Sequence, residues 1–386
     1  MKKLLSVFTA LSLTAGCITA CSTNNAPAAD NKNLQIVTTI FPEYDWVMNI
    51  LGDNPANAEV TMLLDNGADL HSYQPTASDI LKISTCDVFI YVGGESDEWV
   101  DDVLKEATNK DMVVINLMDE LGNAVKEEEI IEGMEEHDHE HEHDHDEDED
   151  HEHDEDHDHD EHVEDHDEDH DHDEHVEDHD EDHDHEDEDH DHEDEDHDHE
   201  HHHEEGEVEY DEHVWLSLKN ASVLVGAISE AIAKADSANA ATYRANASAY
   251  IDKLNALDKE YSDMVNAAAR DVLVFGDRFP FRYLIDDYSL VYYAAFVGCS
   301  AESEASFETI MFLAGKVDEN SLTSVITIEG KEHKIAETII SNTATKDQKI
   351  LTLDSMQTTT MADVKNGTTY ISVMESNYEV LKEALN

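Results

Sequence analysis

The stretch DVFIYVGGESDEWVDDVLKEATNKDMVVINL, residues 87–117, contains a complete structural unit. Asp87–Val92 (DVFIYV) is a continuous apolar run closed by Gly93-Gly94, the pattern of a strand covered on both faces. Trp99–Thr108 spaces its apolar residues as an amphipathic helix does, and Met112–Leu117 (MVVINL) is short and apolar again. Strand, helix and strand in that order form a crossover, so the two strands run parallel in one sheet.

The same alternation extends in both directions. Upstream, Leu34–Thr39 (LQIVTT) and Ala58–Leu64 (AEVTMLL) read as strands, with helices at Glu43–Leu51 and Ser78–Thr85. A second set begins at Val272, with strands Val272–Phe275, Val291–Phe296, Val325–Ile328 and Ile350–Leu353. Its helices are Arg282–Asp287, Ser306–Asn320, His333–Thr343 and Tyr370–Leu385. Between the sets, residues 218–269 contain no Pro and only Gly226 as a glycine, which predicts a linking helix, bent or split near Ala235–Ala240. Unbroken, it would run ~75 Å. The expected fold class is α/β: two parallel-sheet lobes, 34–217 and 270–386, joined by the linking helix 218–269.

One segment of the N-terminal lobe breaks this pattern. From His137 to Glu205 the chain is His, Asp and Glu, relieved by Val163 and Val176. All but three of the 27 His of the chain (His71, His213 and His333) lie in this run. Glu161–His172 (EHVEDHDEDHDH) recurs letter for letter as Glu174–His185. With nothing apolar to offset the entropy of ordering, the insertion 127–209 is expected to be disordered. Imidazoles suit Zn, Ni and Cu, and interleaved carboxylates concentrate cations, so it reads as a low-affinity metal collector. The formal charge of −73 is largely its contribution, and nucleic acid is excluded as a partner.

The N-terminus reads as an export signal: Met1-Lys2-Lys3, then an apolar stretch to Ala15 too short for a comfortable membrane span. Cys17 and Cys21 each follow small residues, as a lipid-acceptor cysteine does. Cys21 fits better because Ile18 stands three positions before it. This predicts a signal peptide over 1–20, a lipidated tether over 21–33, and a protein on the outer face of a bacterial cell membrane. Cys86 and Cys299 are too few for a disulfide framework.

In open parallel sheets, ligands bind beyond the carboxyl ends of the strands. His71 follows the second strand, Asp277 the first strand of the second set, Glu329 the third and Asp354 the fourth, while His213 precedes the long helical stretch. Nitrogen and oxygen ligands from separate elements can meet in a cleft between lobes, and that cleft is the expected metal site. Trp46, Trp99 and Trp215 read as core or lobe-packing residues. There is no H-E-x-x-H and no G-x-S-x-G, so a surface metallohydrolase is disfavoured and no enzyme is expected.

At these residues a resemblance emerges. Asn66–Pro75 (NGADLHSYQP) closely resembles the first-histidine loop of zinc/manganese ABC-transporter solute-binding lipoproteins, the cluster A-I metal-binding proteins. Asp211–Leu216 (DEHVWL) resembles their second-histidine motif, with Glu212 where Pro is usual, and Ile350–Met356 (ILTLDSM) resembles the segment carrying an aspartate ligand. A His-rich insertion before the second motif is itself a trait of zinc-binding members. The resemblance implies a monomeric carrier that holds one divalent ion between its lobes and delivers it to a membrane permease and its ATPase. It departs from the pattern after the first strand of the second lobe, where a third His is usual and Gly276 stands here. Glu329, which directly ends a strand, is the preferred replacement, with Asp277, ion-paired to Arg278 in the other reading, and His333 as alternatives. The expected metal ligands are therefore His71, His213, Glu329 and Asp354. Zinc is the expected cargo, with manganese or nickel as alternatives, and a surface metal buffer or adhesin without transporter as the other functional reading. Imidazole binds metal only when deprotonated, so affinity should fall below about pH 6.

Overall fold

The computed structural model describes residues 33–134, 209–298, 300, 304–330 and 332–386. The His137–Glu205 run, Cys17, Cys21, the tether 21–32 and Cys299 lie outside the described residues.

The N-terminal lobe holds four short strands: β1 (Gln35–Thr38), β2 (Glu59–Met62), β3 (Val88–Tyr91) and β4 (Val113–Asn116). They pair in parallel in the order β2-β1-β3-β4. Helices α1 (Phe41–Leu51), α2 (Ala77–Thr85), α3 (Trp99–Glu106) and α4 (Leu117–Leu121) connect or follow the strands. The second lobe repeats the plan with β5 (Val272–Phe279), β6 (Val291–Val297), β7 (Ser324–Ile328) and β8 (Lys349–Leu353), parallel in the order β6-β5-β7-β8. In both sheets the first strand lies between the second and third. Successive connections leave it in opposite directions, which opens a crevice at its carboxyl end. The eight apolar runs read as strands are all strands: β1, β3, β6 and β7 are buried along most of their length, as apolar runs in a parallel sheet are, while β2, β4 and β8 are partly exposed.

The linking segment is split where expected: it is two helices, α5 (Leu218–Ala235) and α6 (Ala240–Ala267), packed against each other. The break has local causes. Asp236 Oδ2 accepts from Asn239 Nδ2 and from the Tyr243 hydroxyl, both at 2.6 Å, and these bonds fix a turn where the helix would otherwise continue. α5 packs on β3 and β4, whereas α6 packs on α1 and on α11 (Tyr370–Ala384). The remaining helices of the second lobe are α7 (Arg282–Asp287), α8 (Phe307–Glu319), α9 (Lys334–Asn342) and the short α10 (Met361–Lys365), which the periodicity did not reveal.

The insertion is also narrower than its polarity suggested. Glu127 and Tyr210 form an antiparallel bridge, the Glu128 N–H donates to the Glu209 carbonyl at 2.9 Å, and Met134 is buried. Residues at both edges of 127–209 therefore belong to the folded lobe. Trp46 and Trp215 are fully buried core residues. Trp215 Nε1 donates to the Ser355 carbonyl at 2.9 Å and the Tyr370 hydroxyl to the Trp215 carbonyl at 2.6 Å, so polar bonds as well as apolar packing join the second-histidine motif to the C-terminal lobe. Among the described residues no helix is long and apolar enough to cross a membrane.

Candidate metal centre

β2 ends before a loop whose last turn, Leu70–Ser72, carries His71. Asp69 caps that turn: its Oδ1 accepts the His71 N–H at 3.1 Å. His213 stands before α5, and Asp211 Oδ1 accepts both its N–H, at 2.8 Å, and its ring Nδ1–H, at 3.0 Å. On the His71 ring, Nδ1 lies 2.8 Å from Ser96 Oγ and 3.4 Å from a Glu212 carboxylate oxygen. Both Nδ1 atoms are thus engaged by protein groups. A histidine whose Nδ1–H is held by a carboxylate or hydroxyl presents the Nε2 lone pair, the arrangement that orients imidazole toward a metal.

The two Nε2 atoms face each other at 3.2 Å, with ring centroids 5.1 Å apart and planes tilted by 59°. Two nitrogens each bound ~2.0–2.1 Å from one tetrahedral ion stand about 3.3 Å apart. The pair is therefore already spaced as one edge of a zinc tetrahedron. His213 is fully buried, so its orientation is fixed by packing as well as by Asp211.

Glu212, the departure from the resembled motif, supports this arrangement. It is 2 % exposed, its Oε1 accepts the Ser96 N–H at 2.8 Å, and burial pushes its carboxyl up. Hydrogen bonds from His71 and Ser96 outweigh burial and hold it below the ordinary carboxylate range, hence ionised. Behind it, burial, together with the Glu212 charge, pushes Asp97 up to about 7, against the hydrogen bond from the Gly93 N–H. Deeper still, burial and then Asp97 raise Glu43 well above its usual value. A file of acids thus runs from the core to the imidazole pair, the Glu212 carboxyl held low beside the imidazoles and those behind it raised by burial.

Beside His71 opens a cavity of about 510 Å³ lined by Glu95, Glu98, Glu128, Glu209 and Glu212. Glu128 and Glu209 also pair through their backbones, so the acidic mouth beside His71 is built on the two strands of chain that flank the run in sequence.

The four expected ligands are not gathered around one point. Among the described residues, no three His, Cys, Asp or Glu side chains lie close enough to hold an ion. Glu329 turns away to Ser355, accepting from its N–H at 2.7 Å and its Oγ at 2.6 Å, and burial with the neighbouring Asp354 charge raises it to about 7. Asp354 Oδ1 accepts the Met356 N–H at 2.8 Å. His71 and His213 are brought together, while Glu329 and Asp354 form a separate acidic pair. Asp277 and His333 line another cavity of about 270 Å³ with Glu304 and Glu332. Gly276 is a packing position: a Cβ there would lie 2.7 Å from the Ala336 Cα, so the helix after β7 forbids any side chain where the resemblance expects a ligand. The other reading of Asp277, an ion pair with Arg278, does not hold either. It accepts the N–H groups of Arg278 at 2.9 Å and Ile328 at 3.3 Å, and the guanidinium binds Asp69 at 3.0 Å.

Gly298, at the end of β6, touches the ring of His213. A Cβ there would lie 2.9 Å from His213 Cε1 and 3.0 Å from the Phe279 carbonyl. Gly298→Ala should therefore displace the imidazole and lower zinc affinity on the order of tenfold, the usual effect of disturbing a metal-ligand support. Isothermal titration checks this, and wild-type affinity in the variant would show that the ring has room to spare.

Residues 36–384 match the family described as zinc-uptake complex component A, periplasmic. The zinc-binding lipoprotein AdcA of Streptococcus pneumoniae is 30% identical over 372 residues, covering 96% of this chain and 59% of that protein. The chain thus spans about three-fifths of the length of that relative. The high-affinity zinc uptake system protein ZnuA of Bacillus subtilis is 26% identical, covering 95% of this chain and 93% of that protein. Among solved structures, zinc-bound AdcA from S. pneumoniae aligns with a TM-score of 0.61 at 24% identity over 92% of this chain and 58% of that one. The metal-dependent lipoprotein YcdH of B. subtilis aligns with 0.61 at 22% over 91% and 99%. These structural likenesses bear on the fold, and the match along 36–384 is what assigns the lineage: this chain belongs to the zinc-uptake complex component A family.

Proposed function

We propose that this chain is the extracytoplasmic zinc-binding component of an ABC uptake system, a carrier without turnover that hands its ion to a membrane permease driven by an ATPase. The observation that carries the reading is the pair of facing Nε2 atoms at 3.2 Å, with both Nδ1 atoms held. Membership of the family supports it, and relatives named zinc-binding or zinc-uptake proteins favour zinc over manganese and nickel. In this reading His71 and His213 take the ion first. Glu329 and Asp354 are proposed to complete its coordination from the C-terminal lobe, the ion displacing the proton that Glu329 carries near neutrality. Lipid attached at Cys21 would hold the protein, a monomer, at the outer face of the membrane, and the lobes 34–217 and 270–386 would act as its two jaws.

The test is zinc titration of the purified chain, with manganese and nickel as competitors. One tight zinc site is expected, lost when His71 and His213 are both replaced. A tight site that survives the double replacement would refute the assignment.

The His-rich run is proposed to collect zinc and pass it through the acidic mouth. Deleting 137–205 should remove most of the weakly bound zinc and leave the tight site within about twofold, since no residue of that site comes from the run. If the tight site disappears with the run, collector and carrier are not separate.

A further inference from the structure

β5 carries a register irregularity between Phe275 and Arg278, and such a bulge re-aims the side chains that follow it. Arg278 leaves the strand toward the N-terminal lobe. Its Nη2 meets Asp69 Oδ2 at 3.0 Å and its Nη1 donates to the Ser300 carbonyl at 3.4 Å. The other oxygen of Asp69 accepts the His71 N–H at 3.1 Å. One carboxylate therefore couples a guanidinium of the C-terminal lobe to the backbone of an imidazole from the N-terminal lobe. Both side chains are largely buried, at 21 % and 23 % exposed, so solvent screens the pair only in part. The loop before His71 has a second tie, since the Met361 N–H donates to the Asp65 carbonyl at 2.9 Å. Asp65 and Asp69 are both bound to the C-terminal lobe, which leaves the His71 turn little freedom to move by itself.

We propose that Arg278 is a positioning residue: by clamping Asp69 it holds His71 at the coordinating distance from His213, so retention of the cargo ion depends on the interlobe register at position 278. The proposal rests on the reading of His71 and His213 as zinc ligands. It has a sign that a bystander would not share. A guanidinium beside a dication repels it, so removing a mere neighbour would tighten binding. Removing a clamp loosens it, because one imidazole is no longer held in place.

The experiment uses the full chain with Arg278→Gln, Arg278→Lys, Asp69→Asn and the Asp69→Asn/Arg278→Gln double variant. Zinc release to excess chelator is timed, cobalt(II) reports ligand geometry through its visible bands, and amide exchange of residues 66–73 is followed in the metal-free protein. Arg278→Gln should release zinc roughly tenfold faster, a typical effect for a partner that orients a ligand. It should also weaken the cobalt bands and speed exchange across 66–73. Arg278→Lys should recover part of each effect, and the double variant should be no worse than Asp69→Asn alone, because both changes break one contact. Release at the wild-type rate or slower, or exchange that does not change, overturns the clamp. Faster exchange in Arg278→Gln from a wild-type chain that binds neither metal would leave the clamp standing and overturn the zinc-site reading instead.

Discussion

His213→Ala is expected to abolish tight zinc binding, weakening it by about two orders of magnitude or more. Apparent binding free energies of about 10–16 kcal/mol for four-ligand zinc sites make each ligand worth about 3 kcal/mol, and every 1.4 kcal/mol is tenfold. His213 contributes more than its own bond. Its Nδ1–H donates to Asp211, which is 3 % exposed, so truncation leaves a buried carboxylate without that partner and a cavity beside Trp215. The metal-free protein should therefore also lose about 2–3 kcal/mol of stability. Thermal unfolding with and without zinc separates the two effects. In wild type, zinc at about a thousand times its dissociation constant should add about 4 kcal/mol. In the variant this increment should fall to about 1.4 kcal/mol or less while the metal-free melting temperature falls. A variant that still gains the full increment would remove His213 from the site.

The contrast between what local sequence reveals and what it hides is physical. His71 was legible as the imidazole after the second strand, in NGADLHSYQP, and His213 as the one before the long helical stretch, in DEHVWL. The nearly fully buried strands β3 and β7 were legible because burial on both faces leaves no polar position to blur them, while the partly exposed β2, β4 and β8 kept enough apolar residues to be read. Arg278 was not legible. Its nearest anion in the chain is Asp277, but its partner lies 209 residues away, and only the folded chain shows that a bulge turns the guanidinium outward while the Asp277 carboxylate stays on the backbone. Glu212 was visible only as a mismatch at a position where the resembled motif has Pro. Its task, holding Ser96 and facing His71, depends on the loop after β3, which is remote in sequence. Glu329 and Asp354 were chosen by the strand-end rule. That rule places them at the correct edge of the sheet but says nothing of Ser355, whose hydroxyl and N–H draw Glu329 aside.

The file of buried acids behind the imidazoles leads to the other large expected effect, on stability against pH. Asp97 titrates at about 7 when folded against an ordinary value of 3.8, chiefly because burial disfavours its charge. A carboxyl with a raised folded value keeps its proton longer in the native state than in the unfolded one. The native state then binds more protons between about pH 4 and pH 7, and stability falls as pH rises through that window, by at most about 1.4 kcal/mol per unit. Asp97 Oδ1 is buried without a hydrogen-bond partner, which an ionised oxygen would tolerate poorly. Asp97→Asn imitates the protonated acid, and its amide oxygen can still accept from the Gly93 N–H. In the metal-free chain the variant should exceed wild type by about 1.5 kcal/mol at pH 5 and by about 4 kcal/mol at pH 8 in urea unfolding. Some slope should persist in the variant, because Glu43 is raised in the same direction. A gap between the two proteins that stays constant from pH 5 to pH 8 would mean that Asp97 is ionised throughout. The interior would then be more polar at that point than its burial indicates.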